Sequence, residues 1–218
     1  MSFISNVADF KKAFDRMPLI AILRGARPEE AEAIAGAVCD AGIQILEIPL
    51  NSPQPLFSIE RVAKLLAGRA IVGAGTVLKP EEVDSVATAG GQLIVSPNFN
   101  NSVVQRTKEL GLVSAPGVMT PSEAFAALNA GADVLKLFPG EILSKPVIAA
   151  LAAVLPPQAP LVLVGGVTLE GIGAFARTAI AGFGIGSNLF KPGFDPAEVG
   201  SRSRLLVEAM RRAGFGRA

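Results

Sequence analysis

Eight short apolar runs recur along the chain, separated by stretches of helical length rich in Ala and Glu, and this alternation restricts the fold more than any other feature. The runs open at Leu19, Ile43, Ala70, Gln92, Leu112, Val134, Leu161 and Gly182. The helical stretches cover 28–41, 54–67, 80–89, 101–110, 121–130, 145–155, 169–178 and 196–213. Strands buried on both faces of a parallel sheet are near-continuously apolar, and repeats of this length match βαβ units. Pro at the first helical position with acids in the first turn marks several starts, as in Arg27-Pro28-Glu29-Glu30 and Lys79-Pro80-Glu81-Glu82. Ala-Gly pairs such as Ala41-Gly42 and Ala130-Gly131 mark the stops. An open doubly wound sheet would alternate too, but the Gly-x-Gly-x-x-Gly turn expected after its first strand is absent. The pattern predicts an α/β fold, a single-domain (β/α)8 TIM barrel over 1–218. Residues 1–17 form a short N-terminal lead helix in this reading, with Ile4, Val7, Phe10 and Phe14 at helical spacing.

Composition removes whole classes of chemistry. With no histidine and one cysteine, Cys39, neither a Ser-His-Asp or Cys-His nucleophile system nor a zinc centre with imidazole or thiolate ligands can be built. No Asp-rich spacing suggests Mg²⁺, so no metal is expected. Proton transfer falls to Glu, Asp or Lys. Twenty basic residues against 19 acidic ones offer no basic field for nucleic acid or an anionic membrane. The N-terminus lacks a signal-peptide pattern and no apolar run is long enough for a membrane span, so a cytoplasmic protein is expected.

In a barrel of this kind chemistry sits where strands end and βα loops begin, so the charges there carry the most information. Of the eight lysines only Lys136 lies within an apolar strand, and of the 19 acids only Glu47 does. Alternation places Val134, Lys136 and Phe138 on one face of their strand and Leu135 and Leu137 on the other. A buried ammonium is costly unless it is paired or loses its proton, and a neutral lysine amine is the nucleophile that forms Schiff bases with ketones. A stem that merely reaches water, or a structural buried ion pair with Glu47, is the plain alternative. Arg24 closes the first strand directly; its cation would lower the lysine pKa, and its planar fork suits a carboxylate. Gly165-Gly166 after the seventh strand and Gly186-Ser187 after the eighth stand where such barrels bind phosphate. Thr76, after Gly73-Ala74-Gly75, is a further hydrogen-bonding candidate at a strand end.

Three segments carry a resemblance. Leu46-Glu47-Ile48-Pro49-Leu50-Asn51-Ser52-Pro53, Gly73-Ala74-Gly75-Thr76-Val77-Leu78 and Lys136-Leu137-Phe138-Pro139 resemble the 2-keto-3-deoxy-6-phosphogluconate/6-phosphogalactonate aldolase family, over about Pro18 to Phe190. The Glu-Ile-Pro-Leu-Asn-Ser-Pro segment is similar to the phosphogalactonate branch; Asn51 stands where the phosphogluconate branch carries an arginine. The resemblance implies a class I, metal-free and cofactor-free aldolase of sugar-acid catabolism, usually a homotrimer. Its substrate would be the phosphorylated keto acid 2-dehydro-3-deoxy-6-phosphogalactonate. It further implies Lys136 as the Schiff-base residue and Glu47 as the proton shuttle. Substrate contacts would fall to Arg24, Thr76, Gly165, Gly166, Gly186 and Ser187. Gly140-Glu141 departs from the small polar residues usual after the Phe-Pro, and an inward-pointing anion there could repel the substrate. Alternatives are the same chemistry on the gluconate epimer or on 4-hydroxy-2-oxoglutarate, a phosphosugar isomerase using Glu47 as base, and a non-catalytic phosphosugar-binding barrel.

Overall fold

The computed structural model describes residues 6–216. Its nine strands form one parallel sheet: β1 (Leu19–Ile22), β2 (Ile45–Pro49), β3 (Ile71–Gly75), β4 (Leu93–Val95), β5 (Val113–Ala115), β6 (Gly117–Val118), β7 (Leu135–Leu137), β8 (Leu161–Val164) and β9 (Ile180–Ile185). The order runs β5-β4-β3-β2-β1-β9-β8-β7-β6. Only Pro116 separates β5 from β6, so the two ends of that order are halves of one strand and the sheet closes into a cylinder. Proline has no N–H for the ladder, which splits the fifth strand, yet its carbonyl still accepts from Lys136 N at 3.0 Å. The eight-strand barrel expected from the alternation is therefore present, with its fifth strand in two pieces.

Helices α1 (Asn6–Arg16), α2 (Pro28–Asp40), α3 (Pro55–Leu65), α4 (Pro80–Thr88), α5 (Asn101–Glu109), α6 (Pro121–Asn129), α7 (Lys145–Val154) and α8 (Pro196–Arg212) accompany the strands. Prolines open α2, α3, α4, α6 and α8 at the first helical position, where the missing N–H is not needed. The 169–178 stretch is not the α-helix its place in the repeat predicts. It holds only a short 3₁₀ turn, Ile172–Phe175, because Gly171 and Gly173 weaken the helix and the Thr168 hydroxyl captures the Gly171 N–H at 3.1 Å. Met1 to Ser5, including Ile4 of the predicted lead helix, lie outside the described residues.

Two apolar layers follow from the period-2 alternation. Leu46, Ile48, Leu135 and Leu137 point outward into the shell between strands and helices, together with Ile34, Ile59 and Val83. Ile20, Ile22, Ile45, Ile71, Val134 and Val162 point inward and form one apolar cluster with Phe10 and Phe14 of α1. The two rings of α1 stack with centroids 5.5 Å apart. Their helix is tied to residues just ahead of the strands: Asn6 donates to Gly111 O and accepts from Gln92 Nε2, and Arg16 donates to Gln44. Helix α1 thus stoppers the N-terminal end of the cylinder and leaves the C-terminal end to the βα loops. No helix among the described residues is long and apolar enough to cross a membrane.

Candidate active site

Alternation within β2 turns Ile45, Glu47 and Pro49 toward the axis, while in β7 it turns Lys136 inward above Val134. Both charged side chains line one narrow recess inside the barrel, otherwise walled by apolar groups such as Ile22, Val95, Val162 and Val164. Lys136 is 7% exposed and Glu47 2%. Among the described residues no direct ion pair or hydrogen bond joins them. Glu47 Oε2 has no partner and lies against Gly75, where any Cβ would collide with the carboxyl group. The third strand therefore needs glycine at this point, since the acid fills the space a side chain would take.

Burial dominates the electrostatics. It pushes the Glu47 carboxyl up to about 7, against the opposing pull of the Lys136 and Arg24 cations. It also drives the Lys136 pKa below the usual lysine range, with Glu47 opposing and Arg24 assisting. The Lys136 Nζ sits 4.6 Å from the centroid of the Phe138 ring, a contact that favours the ammonium form. An acid poised near neutrality beside an amine that sheds its proton readily can exchange protons with a bound ketone.

The other predicted residues stand at the strand ends around the mouth. Arg24, exposed two residues past β1, donates from Nη1 to Asn51 Oδ1 at 2.8 Å, and the neighbouring Gly25 N–H donates to the buried Ser52 hydroxyl at 3.0 Å. Thr76 closes β3 with φ of 57°, a left-handed conformation that a β-branched residue adopts only under constraint. Gly165 and Gly166, at φ of 106° and 65°, turn the chain after β8. Gly186 and Ser187 follow β9, and the Gly186 carbonyl accepts from the Leu189 and Phe190 N–H groups at 2.8 and 2.9 Å. The structure brings Glu47 and Lys136 into one recess; Arg24, Thr76, Gly165, Gly166, Gly186 and Ser187 lie outside its lining.

Three supports escape a reading of the sequence. Asn51 anchors Arg24, Ser96 Oγ donates to Val77 O at 2.7 Å to pin the β3 exit, and Asn188 Nδ2 donates to Val167 O at 2.6 Å. The last bond ties the two glycine loops together. For Asn188 the only available signal was its place directly after Gly186-Ser187.

Comparison with known proteins bears on the same residues. Residues 10–199 match the family described as "Aldolase: KDPG and KHG aldolase". The chain is 46% identical over 198 residues to 2-dehydro-3-deoxy-6-phosphogalactonate aldolase of Escherichia coli (strain K12), covering 91% of this chain and 97% of the relative. A solved structure called "Native KDPGal structure" superposes with a TM-score of 0.89 at 45% identity, over 91% of this chain and 96% of its own. Another, KDPG aldolase from Legionella pneumophila with pyruvate captured as a covalent carbinolamine intermediate, gives 0.76 at 25% identity, over 92% and 96%. A barrel with a lone amine and a lone acid sealed in its axis, matched along nearly its whole length, makes this chain an enzyme of the KDPG and KHG aldolase family.

Proposed function

We propose that this aldolase cleaves 2-dehydro-3-deoxy-6-phosphogalactonate to pyruvate and glyceraldehyde 3-phosphate through an imine on Lys136. One observation carries the reading: a carboxyl raised to about 7 and an amine of lowered pKa share an apolar recess without neutralising each other in a direct pair. A purely structural ion pair would close that gap.

In this mechanism the neutral Lys136 amine attacks the C2 ketone, and Glu47 carries one nitrogen proton to the oxygen to give the carbinolamine. A second proton, taken from water and relayed by the same carboxyl, lets the hydroxyl depart as water and leaves the imine protonated. The protonated imine then draws electrons from the C3–C4 bond as Glu47 takes the proton of the C4 hydroxyl. The aldehyde is released and an enamine remains. Glu47 returns the proton to C3, water adds to the imine, and pyruvate leaves the lysine. Arg24, held by Asn51, and Thr76 receive the substrate carboxylate, while Gly165, Gly166, Gly186 and Ser187 surround the phosphate. No metal or organic cofactor takes part. Exposed Leu56, Phe57 and Leu78 leave apolar surface that supports association of copies, and the proposal includes a homotrimer working in the cytoplasm.

Borohydride reduction in the presence of pyruvate, followed by peptide mapping, tests the imine: the adduct is expected on Lys136, and its absence removes the mechanism. Pyruvate release measured side by side on the two C4 epimers tests the substrate, with the galactonate form expected to be cleaved faster.

A further inference from the structure

The 3₁₀ turn Gly140–Ile142, which follows β7, presses on the end of β8. A Cβ at Gly140 would stand 2.7 Å from Gly165 O and 2.9 Å from Val164 O, so this turn has no room to move back from the β8 loop. The next side chain, Glu141, is thereby laid across the two glycines. A Cβ at Gly165 would run into the Glu141 carboxyl group, and one at Gly166 would meet its Cδ at 3.3 Å and its Cβ at 3.4 Å. Among the described residues Glu141 has no ion pair and no side-chain hydrogen bond. It is exposed. The two loops themselves, Gly165-Gly166-Val167-Thr168 and Gly186-Ser187-Asn188, contain no lysine or arginine. The distal end of the site is therefore built of backbone N–H groups and hydroxyls, with a carboxylate set against it.

We infer that Glu141 is a specificity-determining residue that disfavours a dianionic terminus, so that this enzyme also takes the non-phosphorylated 2-keto-3-deoxy sugar acid, whose distal group is a neutral hydroxyl. A phosphate monoester carries a charge between about −1.5 and −2 at pH 7. It must either displace the carboxylate or sit beside it, and like charges a few ångströms apart repel even in water. A hydroxyl meets no such opposition and can donate a hydrogen bond to the carboxylate. The inference rests on the aldolase reading above and deepens it at the end of the substrate farthest from Lys136.

The test compares kcat/KM for the phosphorylated and non-phosphorylated keto acids in wild type, Glu141→Gln and Glu141→Ser, with pyruvate release as the readout. Wild type is expected to cleave both compounds. Removing the charge is expected to raise the ratio of phosphorylated to non-phosphorylated kcat/KM by about tenfold or more, through KM. A ratio that stays the same or falls in both variants overturns the inference, as does a wild type inert toward the non-phosphorylated acid. Trapping of pyruvate on wild-type Lys136 separates the two levels, because pyruvate has no distal group. An adduct with an unchanged ratio removes only the role of Glu141, whereas no adduct removes the aldolase reading and this inference with it.

Discussion

Glu47 is the residue whose surroundings make the sharpest demands. Its carboxyl holds a proton up to about pH 7 in the folded chain, against about 4.5 for an ordinary glutamate. Folding therefore binds a proton between those values, and stability falls as pH rises through that window. Glu47→Gln removes the titration. The stability of that variant relative to wild type should increase by roughly 3 kcal/mol between pH 4.5 and pH 7, measured by urea unfolding across the range. The same substitution should lower kcat by about 10²- to 10⁴-fold and erase the rising limb of the kcat/KM profile near neutrality. A Glu47→Gln enzyme that kept that limb would show that another group titrates. Thr76 makes the opposite kind of demand, because its backbone is held in a conformation that glycine would adopt freely. Thr76→Gly should match or exceed wild type in stability by up to about 1 kcal/mol while losing about tenfold in kcat/KM with its hydroxyl. A clear drop in melting temperature would mean that the left-handed turn stores no strain.

At the level of elements, much was legible because parallel strands buried on both faces must be apolar. Any charge inside one announces itself, as Lys136 and Glu47 do. The eight-fold alternation and the proline starts were readable for the same reason: each is a local consequence of a buried face or a missing N–H. Contacts between loops far apart in the chain were not readable. Nothing local to Asn51 says that it will hold Arg24, and nothing local to Glu141 says that its carboxylate will lie over Gly165 and Gly166. Nor does the period reveal that Pro116 splits one strand, or that two glycines reduce a barrel helix to a single 3₁₀ turn. The Asn188–Val167 bond is such a contact, joining the exits of β8 and β9. Asn188→Ala should cost about 1 kcal/mol in unfolding free energy. It should also raise KM for the phosphorylated substrate several-fold with little change in kcat. A selective loss of kcat instead would place this bond in the chemistry rather than in holding the loops.

Seen whole, the molecule is a cylinder with one end stoppered. Phe14 seats beneath β9, where a Cβ on Gly182 would come within 2.8 Å of its ring, and Phe10 stacks upon it. Phe14→Ala should destabilise the fold by about 3 kcal/mol or more while leaving kcat unaltered at a temperature where the variant remains folded. Denaturant titration and steady-state assay together check this, and a fall in kcat would mean that the stopper reaches the chemistry. The stopper has a kinetic corollary as well. In the mechanism proposed above the imine forms deep inside this cul-de-sac, and that dictates the sequence of departures: the aldehyde fragment, nearer the opening, goes first, and the three-carbon piece still tethered to nitrogen goes last. Run backwards, the same dead end requires the keto acid to dock before its aldehyde partner can enter.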